Sequence, residues 1–159
     1  MAEEKTNVMR LLEQAGVAFT PHSYPHGKEP VDGVTVAGIL GRDPQQVFKT
    51  LVTRGASGGF CVFVIPADGT LDLKKAARAA GEKSVEMIHV NDLNKITGYI
   101  RGGCSPIGMK KAFPTFIQQD AQRLERISVS AGVRGCQVIL AVEALLGCTG
   151  AKFAELCGE

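Results

Sequence analysis

Residues 43–66, DPQQVFKTLVTRGASGGFCVFVIP, decide how the rest of the chain is read. Asp43 suits a helix cap, Pro44 the first helical position, and Gln46 completes a capping-box spacing, so a short helix opens here. FCVFVIP (60–66) is a nearly continuous apolar run with aromatic and β-branched residues, the pattern of a buried central strand. Between them, QVFKTLV (46–52) sets one lysine, Lys49, in a run that otherwise reads as something a protein buries. The spacing predicts that the short helix hands over to a strand TLVTR (50–54), with Lys49 at the junction and free to aim into a cleft. Two roles are open to it. Its stem can cover apolar surface while the ammonium reaches water, or the ammonium can hold an anion or a carbonyl oxygen.

On the N-terminal side, Val8, Leu11, Leu12 and Ala15 share one helical face after a Thr6 cap and before Gly16 as a stop. VAFTPHSY (17–24) alternates and carries Pro21, which predicts an edge strand. PHGKEPVDG (25–33) reads as a loop, and VTVAGILG (34–41) as one or two helical turns ended by Gly41. On the C-terminal side, LDLKKAARAAG (71–81) predicts a helix stopped by Gly81. VEMIHV, TFIQQ, ISVS and QVILAV read as short strands, and EALL and GAKFAEL as a helical C-terminus. Strands outnumber helices and do not alternate with long helical patterns. The predicted class is therefore α+β, a mixed, largely antiparallel, barrel-like sheet with flanking helices.

A chain of 159 residues suits one domain, 1–159. With 45 % hydrophobic and 21 % charged residues it lies far from the composition of disordered chains. A net charge of +2 permits a nucleic-acid partner without demanding one. No stretch approaches the ~20 apolar residues that span a bilayer, and the expectation is a soluble cytoplasmic protein. Five cysteines form no C-x-x-C pair, which speaks against both a disulfide framework and a thiolate zinc site.

Three segments carry candidate chemistry. GYIRGGCSPIG (98–108) holds four glycines and a proline, which makes it a shaped loop whose backbone N–H groups can approach a ligand, or equally a tight turn at Gly102 and Gly103. Cys104 within it would need an activating base to act as a nucleophile, and the histidines are His22, His26 and His89; a small apolar filler is the plainer reading. His22 and His26 have a metal-like spacing, but Pro21 and Pro25 break any helix there, so no metal is expected. SVSAGVRGCQ (128–137) reads as a hairpin whose Ser130 lacks the Gly-x-Ser-x-Gly surroundings of a serine hydrolase.

QVFKTLV, TGYIRGGCSPIGMKK (97–111) and ISVSAGVRG (127–135), with LDLKKAARAAG and AKFAEL (151–156), resemble in order the YbaK/EbsC family, which is related to the editing domain of bacterial prolyl-tRNA synthetase. The likeness runs from NVMRLLEQAGVAF (7–19) to AKFAEL. It implies a trans-acting aminoacyl-tRNA deacylase that clears cysteine from mischarged tRNA(Pro), without a cofactor or metal. In that branch the substrate's own thiol attacks its ester carbonyl. Related branches clear alanine, and a non-catalytic binding module would keep the same pocket. By position the family's catalytic residues fall on Lys49, Ser130 and Gly132, and its substrate-binding residues on Tyr24, Thr50, Gly102, Gly103 and Ser105. The chain departs from many relatives at Val31, where an aromatic residue is missing, and at Gln137, where an acidic one is. The partners implied are the 3′ end of Cys-tRNA(Pro) and prolyl-tRNA synthetase, with no DNA and no membrane.

Overall fold

The computed structural model describes residues 5–25 and 32–158. Most of the loop predicted at 25–33, His26 and Val31 included, therefore lies outside the described residues. The elements are α1 (Asn7–Gln14), β1 (Phe19–Ser23), α2 (Gly33–Leu40), β2 (Phe48–Gly55), β3 (Phe60–Pro66), α3 (Leu73–Ala80), β4 (Val85–Met87), α4 (Val90–Thr97), β5 (Thr115–Gln118), β6 (Arg126–Ser130), β7 (Cys136–Ala141), α5 (Val142–Thr149) and β8 (Lys152–Ala154). Among the described residues no helix is long and apolar enough to cross a membrane.

The strands form two sheets: β1-β7-β6, all antiparallel, and β4-β2-β3-β5-β8, which is mixed. In the larger sheet β4, β2 and β3 run antiparallel, while β5 and β8 join in parallel. The α+β class holds, but the sheets do not close into a barrel. Among the described residues they meet through a single bridge, Val47 to Ser128, and β1 is an edge strand paired with β7 alone. Pro21 lies in that edge strand, where a missing N–H is tolerated.

β3 is buried on both faces. Val62 and Val64 join the main core with Phe48 and Val52 of β2, Ile127 and Val129 of β6, Val138 and Leu140 of β7, and Val8 and Leu12 of α1. Phe63 and Ile65 pack on the opposite face against Ala76 and Ala77 of α3 and against Leu156. Period-two alternation produces both clusters from one strand. In α1, Thr6 caps by accepting from the Met9 N–H at 3.2 Å. Met9 is buried there, whereas Ala15 is exposed beyond the helix end.

Two local readings change. GAKFAEL is not helical: α5 stops at Gly150, which takes a left-handed φ of 71°, and Lys152–Ala154 adds to β5 as a parallel strand. VEMIHV is a strand only to Met87, after which the chain turns into α4. The C-terminal strand is locked by Gln118, which is 3 % exposed. Its Oε1 accepts from the N–H groups of Leu156 (2.8 Å) and Cys157 (3.1 Å), and its Nε2 donates to Asp120 (3.2 Å) and Glu155 (3.1 Å).

Gln118→Ala would leave the Leu156 and Cys157 N–H groups without acceptors. At about 1–3 kcal/mol for each of the two stranded donors, a loss of about 2–6 kcal/mol is expected, read as a lower urea midpoint with an unchanged slope. A midpoint like that of the unsubstituted protein would show that β8 is held by its ladder with β5 and by packing, without help from the Gln118 side chain.

Candidate active site

The site begins with the outer edge of β2. The Val52 C=O accepts from Ile88 at 3.3 Å, and the Val62 N–H donates to Pro114 at 2.9 Å. Val52 and Val62 are opposite each other, so they form a non-hydrogen-bonded pair whose backbone groups point away from one another. Thr50, two residues earlier and opposite Val64, has the same phase. Its N–H and C=O face the outer edge too. That edge is met by β6 through the Val47 to Ser128 bridge and by β4 over Thr53 to Gly55. Thr50 lies between these contacts and is paired by neither strand.

A cavity of roughly 110 Å³ occupies the gap. Five residues predicted from the sequence line it: Tyr24, Lys49, Thr50, Gly102 and Ser130. Lys49 is not at a helix-to-strand junction. It is the second residue of β2, opposite Ile65, and is half-buried. Asp43 and Pro44 do open a helical turn, but one confined to Pro44–Gln46, with the Asp43 carboxylate accepting from the Gln45 N–H at 2.9 Å. The Lys49 ammonium donates to the Ala67 C=O at 3.3 Å. No ion pair to it is found among the described residues. Above Ala67 sits the start of α2, so close that a Cβ at Gly33 would lie 2.7 Å from the Ala67 Cβ. Asp32 holds that helix end by accepting from the Thr35 N–H at 2.9 Å.

The opposite wall comes from the β6–β7 hairpin. Ser130 Oγ accepts from the Gly132 N–H at 3.1 Å, which leaves its own proton to donate. Gln137, opposite Ser130, accepts from Ser128 Oγ at 3.1 Å through Oε1, which leaves its NH₂ as the donating end. An ammonium with no carboxylate partner among the described residues, a hydroxyl and an amide thus border one small space. Thr50 Oγ1 is buried with no hydrogen-bond partner among the described residues. This wall suits an oxygen-rich guest such as an ester, on whose carbonyl oxygen negative charge can build.

Gly103, Ser105 and Gly132 do not line the cavity; they shape it. The Gly103 N–H is already bonded to the Ile100 C=O at 3.0 Å. A Cβ on Gly103 would come within 2.9 Å of the Val133 backbone. Ser105 is fully buried, and its Oγ accepts from the Ile107 N–H at 3.3 Å. Gly132 turns the hairpin at φ 92°, with Val8 and Tyr99 where a side chain would go. Tyr99, unmarked in the sequence reading, donates its hydroxyl to the Ile107 C=O and so fastens both ends of the glycine loop. Burial pushes that phenol up to about 12.

Cys104 also lines the cavity. Burial pushes its thiol up to about 12, only partly offset by the Thr97 hydroxyl, so it is a neutral thiol at pH 7. Among the described residues no histidine hydrogen-bonds to it, and His89 is exposed at the start of α4. Val36 and Val47 complete the apolar part of the wall. As ordinary core-type residues they carry no chemical signal in the sequence.

Residues 29–148 match the family model of the aminoacyl-tRNA editing domain. The chain is 49 % identical, over 97 % of its length and 94 % of the relative's, to EbsC of Enterococcus faecalis, a proposed Cys-tRNA(Pro)/Cys-tRNA(Cys) deacylase. Among solved structures it resembles a proposed trans-editing enzyme for prolyl tRNA synthetase, at TM-score 0.82 and 23 % identity, covering 98 % of this chain and 100 % of that one. A structure described only as a hypothetical protein matches at TM-score 0.84 and 22 % identity, with the same coverage. At these identities the two structures speak for the fold.

The thiols provide a direct check on the electrostatics. With iodoacetamide at pH 8, mass spectrometry is expected to find the exposed Cys148 modified first and the neutral Cys104 thiol modified much more slowly. Preferential modification of Cys104 would reveal an activated thiolate at the site.

Proposed function

The chain belongs to the aminoacyl-tRNA editing domain family, and on that premise we propose that it is a trans-acting deacylase that clears cysteine from tRNA(Pro). The observation that carries this reading is the Lys49 ammonium, without a carboxylate partner among the described residues, at the wall of a cavity that offers donors but no activated protein nucleophile.

Such a cavity calls for a guest that brings its own nucleophile. The cysteinyl thiol loses its proton to solvent, and its sulfur attacks the ester carbonyl carbon two bonds from its own Cβ. An S–C bond forms, and the carbonyl oxygen takes up negative charge beside Lys49 and the Ser130 hydroxyl. Collapse breaks the bond to the ribose 3′ oxygen, which leaves with a proton from water. The products are free tRNA and a four-membered cysteine thiolactone, which water opens to cysteine. Tethering supplies the proximity: intramolecular reactions reach effective molarities of about 10⁵–10⁸ M. Lys49, Ser130 and Gln137 then have only to hold the carbonyl and stabilise the charge that builds on it. Gly132 and Gly103 act at one remove, by keeping the hairpin and the loop in place.

In this reading the whole chain works as one domain in the cytoplasm, on the 3′ end of aminoacyl-tRNA and with neither DNA nor membrane. With a net charge of only +2, affinity for the tRNA body is modest, because sequence-independent binding grows with the number of phosphates neutralised. A transient complex with prolyl-tRNA synthetase, where the mischarged species is made, would supply the missing local concentration.

The test is a deacylation panel on tRNA(Pro) charged with cysteine, alanine, serine or proline. Cysteine is expected to be lost and the other three retained. Its rate should rise with pH as the substrate thiol ionises, near about 8.5 for a free thiol. Lys49→Ala is expected to slow the reaction by about 10²–10³-fold, as for loss of one oxyanion donor. Equal loss of the alanyl and seryl esters would refute the substrate-thiol route, and turnover of none of the four would leave a binding module.

A further inference from the structure

A second cavity, of roughly 400 Å³, lies beside the first and shares Thr50, Gly102 and Cys104 with it. Its other walls are mostly apolar, with Leu51 and Val52 of β2, Met87 at the end of β4, and Val90 and Leu93 of α4. Among the described residues that line it, Arg101 is the one Lys or Arg. Met87 and Val90 are 46 % and 55 % exposed, so apolar surface at the rim of the hollow is open to a ligand. From this junction we propose that the larger cavity receives the terminal adenine base of the tRNA, and that the backbone of Thr50 reads its edge. The proposal rests on the deacylase reading above and specifies how that substrate is seated.

The two ends of an aminoacyl-adenosine differ in size and polarity as the two cavities do. A space of roughly 110 Å³ bordered by Lys49, Ser130 and Gln137 accommodates an ester carbonyl and a small side chain but not a purine. The larger space would leave a cysteinyl or alanyl group mostly unpacked, whereas it has room for a flat base to lay its apolar faces against the wall. The ribose then spans the shared wall, where Gly102, with φ 88° and no side chain, lets a ligand pass close to the backbone.

Base identity enters through the open edge of β2. The ladder turns the Thr50 N–H and C=O away from β3, and neither β6 nor β4 pairs with them. One donor and one acceptor on the same residue match the Watson–Crick edge of adenine, with N1 accepting and the N6 amino group donating. Guanine in the same pose presents the reverse order, so that donor meets donor and acceptor meets acceptor. Arg101 stands at a place suited to the phosphate that links the terminal nucleotide to the next.

The experiment uses the full chain and three hydrolysis-resistant probes: 3′-deoxy-3′-(L-cysteinylamino)adenosine and its guanosine and cytidine counterparts, measured by isothermal titration. The adenosine probe is expected to bind about tenfold or more tightly than the guanosine probe, the discrimination one mismatched bidentate pair supplies. The cytidine probe, with a smaller flat face to lay against the apolar wall, is expected to fall below the adenosine probe too. Val90→Trp, at an exposed position, should narrow the cavity. It is expected to weaken the adenosine probe by about tenfold and to raise KM for Cys-tRNA(Pro) more than it lowers kcat, with an unchanged melting temperature. Equal binding of the adenosine and guanosine probes would overturn the assignment without recourse to any variant, and so would a folded Val90→Trp protein with unaltered probe affinity. If charged tRNA is deacylated but the base preference is missing, only this inference falls. A clear adenine preference with no deacylation would keep the cavity assignment and remove the catalytic reading.

Discussion

The outer edge of β2 is shared between two strands that belong to different sheets. β6 meets it at Val47 and β4 meets it from Thr53 onward. Backbone N–H and C=O groups must find partners or water, and strands twist. A strand whose two neighbours diverge must therefore lose its ladder where they part. Here the break falls at Thr50, and both cavities open on it. The smaller one wraps around the open edge, since Lys49 and Thr50 project from opposite faces of the strand yet both line it. The site is thus a consequence of how the two sheets join, and closure of the barrel would have filled it with a ladder.

What keeps this opening in shape is a set of contacts that tolerate no added atoms. Gly103 lies against the backbone of Val133 and Arg134, and Gly132 against Val8 and Tyr99. Gly108 lies against Leu11 and Tyr99. The Tyr99 ring is the common spacer between α1, the glycine loop and the β6–β7 hairpin. Arg134 adds a bond from Nε to the Arg101 C=O at 2.7 Å, across the same seam. Glycine is used less for flexibility here than for close approach, and the loop is buried at Gly103, Ser105 and Ile107.

This division explains which parts of the molecule were legible in the sequence. The apolar run at 60–66 carried its own evidence of burial on two faces, and the hairpin at 128–137 carried its own turn. Lys49 stood out because an ammonium in an apolar run needs a reason. Its reason, an edge abandoned by one strand before another takes it up, depends on pairing between segments about eighty residues apart along the chain, which no local pattern records. The same limit explains β8. Residues 152–154 have a helix-compatible composition, but β5 offers them a parallel ladder and Gln118 ties down the residues that follow. In the loop at 98–108 the glycines announced a shaped backbone, but they could not say that Ser105 turns inward while Cys104 reaches the cavity.

The neutral state of Cys104 bears on why the proposed chemistry would be selective. A pocket that sorts amino acids by size gains only about 1–3 kcal/mol per methylene, too little to spare correctly charged tRNA by fit alone. An activated protein thiolate in the same place would make matters worse, because it would attack any ester held against Lys49. A thiol at the wall that burial keeps protonated leaves attack to the guest, and then only an aminoacyl group with its own thiol can react. Discrimination moves from the shape of the cavity to the composition of the substrate. A cavity whose walls polarise without attacking is the arrangement that makes this possible.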